Sequence, residues 1–190
     1  MPLGRYNGGL GVACLRCSSG GRCQPVLRAL AYVAGRKHDR LHASDIGFFI
    51  ATRINAAGRL EDMAIGIECL LADDPAQAAE LARTLDAING ERRVVQQMML
   101  DEAEQIAATA HDAGDAAAVC VFDPSWHPGV IGLVAEHLQE QLHRTVVSFA
   151  PAGPDAACHT CHGLTGAPRP IPGFPTAAAL ADVASAPPGF

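Results

Sequence analysis

Aromatic side chains are scarce in this sequence. They make up 5% of its 190 residues, with a single tryptophan and two tyrosines. Hydrophobic residues reach 49%, but much of that is alanine, which buries little area, so the core will be lean. Positive charge is also in deficit: the formal net charge is −6, which excludes a general basic field. Any nucleic-acid contact must come from local arginines. No apolar run approaches the roughly 18 residues of a membrane span. Met1 to Gly20 lacks a basic segment followed by an apolar one, so no secretory signal is expected. These absences predict a cytoplasmic chain without a membrane partner, with its seven cysteines reduced. No internal repeat occurs. The length suits one ordinary domain or one and a half small ones.

The most informative stretch runs from Ala116 to Ala135. Ala117 to Phe122 has the β-branched bias of a buried strand. Asp123-Pro124 breaks it, and the loop that follows carries Trp126, His127 and a Pro128-Gly129 turn. Val130, Leu133, Val134, Leu138 and Leu142 then recur as one face of a helix. Strand, polar loop, helix is the layout of a site at a strand's carboxyl end, where free N–H groups of the helix can hold an anion. Thr145 to Phe149 is a second short strand, so a βαβ unit with a parallel pair and a right-handed crossover is expected. Gly163 to Ile171 can add a third extended segment. Its prolines, Pro168 and Pro170, restrict it to an edge. Thr176 to Ala184 reads as a final amphipathic helix.

Upstream the pattern is helical. Met1 to Gly21 is interrupted by glycines, and residues 1–19 remain unassigned. Pro25 to Gly35 predicts a short helix with Pro25 in its first turn and Gly35 past its end. Ser44-Asp45 is a candidate N-cap for a helix from Ile46 onward. Arg53-Ile-Asn-Ala-Ala-Gly-Arg59 reads as a compact polar stretch whose two guanidinium groups could hold phosphate or carboxylate, or simply be solvated. Helical spacing resumes through Met63, Ile67, Leu70 and Leu71. Asp73-Asp74-Pro75 starts a long helical region. Asn89-Gly90 within it predicts a kink or a junction of two helices. Glu91-Arg92-Arg93 reads as a solvated face, and His111 to Asp115 ends the region.

Two Cys-x-x-Cys pairs stand apart from this frame. Cys158-His-Thr-Cys161-His162 matches the pattern of covalent haem attachment. With Cys14 and Cys17, the second pair also supplies four possible zinc ligands. The gap between the pairs is far longer than the about 15–20 residues usual in a zinc ribbon.

An ordered series of segments resembles one family. It comprises Arg53 to Leu60, Asp73-Asp74, the long helix with Asn89 and Arg92, Trp126 to Gly132, and Thr145 to Ala152. Gly21 to Leu30 and Pro170 to Val183 extend the likeness. Together they resemble the RecJ-type single-stranded-DNA-specific exonucleases of the DHH phosphoesterase superfamily. The resemblance implies a 5′-to-3′ nuclease of recombination and repair, with single-stranded DNA as its partner. It implies Mn2+ or Mg2+ held by aspartates and a D-H-H triplet, activating water and clamping the scissile phosphate. It also implies strand or 5′-phosphate contacts at Arg53, Arg59 and Arg169, with Asn55, Trp126, His127 and Gly129 as further candidate contacts and His127 alternatively a structural anchor.

The sequence departs from that family in two ways. It contains neither D-x-D nor D-H-H, so catalytic residues are expected from elsewhere, a separate chain being one source. The family's S-x-R-S motif reads Ala167-Pro168-Arg169-Pro170, without either hydroxyl. The expected organisation is an α/β chain incomplete at both ends. Residues 20–72 would be the helical remnant of a catalytic domain, 73–115 linker helices, and 116–190 a truncated DHH-associated domain. This chain alone is expected to be inactive. The alternatives are a non-catalytic single-strand-binding module, or a zinc or haem protein built on Cys14, Cys17, Cys158 and Cys161.

Overall fold

A computed structural model of the chain describes residues 23–111, 118–152 and 163–173. The chain divides into two compact units, Met1–Arg93 and Val94–Phe190. Helix dominates the first, and the second carries a small mixed sheet, so the expected α/β class holds.

In the first unit, α1 spans Pro25–Val33 and buries Val26, Leu30 and Ala31. Its end has a physical signature. Gly35 adopts φ +67°, Gly35 N–H donates to the Tyr32 carbonyl at 2.9 Å, and Arg36 N–H to that of Ala31 at 2.8 Å. This pair of bonds closes a helix through a left-handed residue, where glycine carries no Cβ penalty. A short 3-10 turn, His38–Arg40, follows.

Next come α2 (Ala43–Asp45), a π-helical segment (Ile46–Ile50) and α3 (Ala51–Leu60) in unbroken succession. The expected Ser44-Asp45 cap is displaced. Asp45 lies inside the first turn, and its Oδ2 accepts from His42 N–H at 2.9 Å. A carboxylate three residues into a helix can reach back in this way and satisfy an otherwise orphaned donor.

Helix α4 spans Met63–Leu71, with Asp62 Oδ1 accepting from Ala64 N–H at 2.8 Å. Here the apolar pattern misleads. The buried residues are Gly66 and Cys69, while Met63, Ile67, Leu70 and Leu71 are exposed, Leu71 at 74%. A Cβ at Gly66 would stand 3.2 Å from Ile54 Cγ2. The small-residue face therefore packs inward because it permits close approach to α3.

Helix α5 spans Pro75–His111. Asp74 Oδ2 accepts from Gln77 N–H at 2.8 Å, as its sequence position predicts. The junction of two helices expected as one alternative at Asn89-Gly90 does not occur, since α5 runs through it as one helix. Asn89 is buried, and its Oδ1 accepts from Arg92 Nη2 at 3.3 Å within the same helix. Its polar group is satisfied without a break. Leu85 and Ala82 join Val26, Leu30, Ile50, Ala57 and Cys69 in the core of this unit.

In the second unit, β1 (Ala118–Phe122) leads through a loop to α6 (Ile131–Leu142), then β2 (Thr145–Pro151) and β3 (Leu164–Arg169). The sheet order is β1-β2-β3. The β1–β2 pair is parallel, with Ala118 opposite Thr145, as the strand–helix–strand reading requires. The β2–β3 pair is antiparallel, with Val146 opposite Arg169. Pro168 thus lies on an edge strand, where a missing N–H is tolerated. Helix α6 buries Ile131, Val134, Ala135 and Leu138 and packs on β2 and β3. The reading of Thr176 to Ala184 as a helix lies outside the described residues. Among those described, no helix is long and apolar enough to cross a membrane.

An added Cβ at Gly90 would meet open space. Gly90→Ala should therefore raise stability by about 1 kcal/mol through helix propensity, measured by urea denaturation. A loss of stability would show that the position needs glycine's freedom.

Candidate nucleic-acid interface

The Arg53 to Arg59 stretch is helical, and the helix separates its polar residues by face. Arg53 points inward and is 7% exposed. Its Nε donates to Asp86 Oδ1 at 2.8 Å, Nη1 to the Phe49 carbonyl at 2.6 Å, and Nη2 to the Val33 carbonyl at 3.4 Å. All three guanidinium nitrogens are engaged with protein, so Arg53 clamps α3 to α5, to the end of α1 and to the π segment. The carbonyl of Phe48 is taken up beside it by Thr52 Oγ1 at 2.8 Å. The expectation of a phosphate hand at Arg53 is therefore replaced by an internal tie.

Asn55 is exposed and Arg59 half-buried. Four residues apart, they share one helix face. Arg92 lies near enough to Arg59 and Arg93 for their charges to lower its proton affinity, after burial, which is the larger cause. Arg92 is half-buried, so Glu91-Arg92-Arg93 is not a uniformly solvated face. Asn55 and a concentration of guanidinium charge (Arg59, Arg92, Arg93) form the first candidate contact. The sequence signal for Arg92 was its i,i+3 spacing from Asn89.

The second candidate lies in the other unit. Asp123 Oδ1 accepts from Ser125 N–H at 2.8 Å and Ser125 Oγ at 2.6 Å. These bonds hold its carboxyl below the ordinary range and turn the chain out of β1. Trp126 is only 3% exposed, and its Nε1 donates to Glu102 Oε2 at 2.8 Å. A ring so enclosed offers no face to a base, so Trp126 anchors the loop to α5 rather than contacting a strand. His127 and Gly129 are half-buried. His127 Nδ1 accepts from Gly129 N–H at 3.1 Å, which leaves Nε2 as the donor of the neutral ring.

No side chain caps the start of α6. Arg169 comes to this same place from β3. A Cβ at Gly132 would stand 3.2 Å from Arg169 Nη2, so glycine allows the guanidinium to lie on the first turn. Arg169 Nη1 donates to the Pro168 carbonyl at 3.1 Å, which helps orient the group. An uncapped helix start and a guanidinium thus meet in one place, and both favour an anion.

The expected zinc or haem ligands Cys14, Cys17, Cys158, Cys161 and His162 lie outside the described residues. Among the described residues, no group of three or more His, Cys, Asp or Glu could hold a metal ion.

Comparison with known proteins gives this geometry a context. The chain is 43% identical over 135 residues to the single-stranded-DNA-specific exonuclease RecJ of Dickeya dadantii, and 42% identical over 135 residues to that of Escherichia coli. Over that stretch the chain resembles RecJ. The two matches cover 70% of this chain, and the chain spans 23% of each relative's length. A crystal structure of RecJ with Mg2+ from Thermus thermophilus superposes with a TM-score of 0.67 at 33% identity, covering 79% of this chain and 23% of that one. A structure of exonuclease RecJ bound to manganese gives 0.70 at 30% identity, covering 95% and 41%. No family model matches the chain. The metals in those RecJ structures belong to the family, and the residues described in this chain do not fit one.

Arg53→Ala should cost about 1.5–3 kcal/mol in denaturant, since it removes charge-assisted hydrogen bonds from a buried site. Arg53→Lys should recover little, because an ammonium cannot reproduce the planar fork. Wild-type stability in Arg53→Ala, with DNA binding lost, would return Arg53 to the role of a phosphate hand.

Proposed function

We propose that this chain supplies the strand-holding part of a RecJ-type exonuclease that degrades single-stranded DNA 5′ to 3′ in recombination and repair. One observation carries the reading: the Arg169 guanidinium lies on the first turn of α6, across Gly132, at an uncapped helix start. Such a place suits a terminal phosphate. Asn55, Arg59 and Arg92 supply a separate backbone contact in the first unit, and His127 and Gly129 lie in the loop leading to α6. Arg53 and Trp126 support these contacts from within. In domain terms, residues 20–72 belong with a catalytic domain, 73–115 with a linker, and 116–190 with the DHH-associated domain.

Hydrolysis would use Mn2+ or Mg2+ held by residues outside these 190, in a longer polypeptide or a separate chain. No catalytic step is assigned to the residues present. Loss of both hydroxyls around Arg169 leaves its guanidinium and the helix N–H groups as the phosphate donors.

Fluorescence anisotropy with a short 5′-phosphorylated single strand tests this. Binding should weaken steeply with salt, because phosphate contacts release counterions. Arg169→Ala should reduce the log–log salt slope by about one and narrow the preference for 5′-phosphate over 5′-hydroxyl ends. Absence of binding at low salt, or unchanged binding in both Arg59→Ala and Arg169→Ala, would remove the basis for the reading. The chain alone should leave 5′-labelled single-stranded DNA intact in Mn2+. Metal-dependent release of label, retained through purification, would show that it carries its own catalytic centre.

A further inference from the structure

The single-strand reading uses neither α1 nor the loop after it, yet the groove there has its own chemistry. Tyr32, near the end of α1, is 82% exposed. It is one of two tyrosines in a chain poor in aromatics. Two adjoining cavities share Tyr32 and Arg28 as a common wall. One, of about 500 Å3, has apolar lining from Pro25, Ala29, Val33 and Pro75, with Arg83 adding charge. The other, of about 480 Å3, adds Arg36, Lys37 and His38, against Asp39 as its one carboxylate. Cavities of this size are in the range that receives small organic groups.

The cations here are of two kinds. Arg36 is committed, with its guanidinium 3.9 Å from the Phe49 ring centre and 3.9 Å from Asp45 Oδ1. Arg83 pairs with Glu80 on its own helix. The side chains of Arg28 and Lys37, the latter the one lysine in the sequence, make no ion pair among the described residues. An exposed ring between two concave spaces, flanked by uncommitted cations, matches what single strands require: a stacking platform and phosphate partners.

Resting on the single-strand reading, we propose that this groove is an additional contact for single-stranded DNA. A base stacks on Tyr32, its sugar enters the apolar cavity, and the flanking phosphates pair with Arg28 and Lys37. Stacking is indifferent to base identity because every base has a π face, so the contact is not sequence-specific.

The test uses the 190-residue chain and a short oligothymidylate carrying one 5-iodouracil, photocrosslinked and mapped by mass spectrometry. An adduct at Tyr32 is expected. Tyr32→Ala should weaken binding about fivefold to a hundredfold, and Tyr32→Phe should retain affinity because its ring still stacks. The exposure of Tyr32 makes a folding defect in these variants avoidable, and circular dichroism checks it. Arg28→Glu should lower the salt slope by about one or more. Adducts elsewhere but none at Tyr32, with Tyr32→Ala binding as wild type, would overturn this proposal while leaving the strand-holding reading intact. No binding by the wild-type chain would overturn both. Displacement of the strand by polyglutamate as readily as by unlabelled oligonucleotide would assign the groove to acidic peptides instead.

Discussion

A guanidinium cannot shed its proton inside a protein, so burying one obliges acceptors to converge on it. Arg53 imposes that demand on the first unit. It draws the Asp86 carboxylate from α5, the Val33 carbonyl from the end of α1 and the Phe49 carbonyl from the π segment. No two of these lie on the same element. The helices are therefore held in place by a polar centre as well as by the apolar cluster of Leu30, Ile50 and Leu85. A lean core gains specificity this way, because the fork tolerates few geometries. The π segment belongs to the same arrangement. Where the helix widens, the Phe48 and Phe49 carbonyls accept from the side chains of Thr52 and Arg53.

The second unit depends on close approach at glycine. Gly132 lies beneath the Arg169 guanidinium, and a Cβ at Gly166 would stand 2.8 Å from Phe149 Cε1. A side chain at Gly132 would push Arg169 off the first turn of α6. One at Gly166 would collide with the ring across the β2–β3 pair. Both glycines therefore bear on how β3 presents its arginine to the helix start.

Much of this framework is legible in the sequence where an element's boundary has a local cause. Pro25, Gly35, Asp74-Pro75 and the two β-branched runs act through capping bonds or fixed dihedrals, and their elements appear where expected. Facing is harder to read. Periodicity counts apolar area, but α4 buries the side that allows the shortest interhelical distance, and its larger residues face solvent. Arg53 and Arg59 look equivalent in sequence because both are arginines flanking small residues. The acceptors that converge on Arg53, Asp86 thirty-three residues on among them, separate the two. Trp126 is similar: its loop looks like a site, and Glu102, distant in sequence, turns the ring into an anchor.

The same distinction explains how an acidic chain can present local positive charge. Its positive side chains divide by the company they keep rather than by motif. Arg53 and Arg36 are matched to acceptors or rings of their own unit. Arg92 is held where burial weakens its solvation and the charges of Arg93 and Arg59 oppose its own. A polyanion would gain attraction where these guanidinium groups gather. It does so locally, while the surplus of carboxylates elsewhere keeps the rest of the chain from competing for the strand. Net charge thus describes the surface as a whole, and the gathered guanidinium groups set its local exceptions.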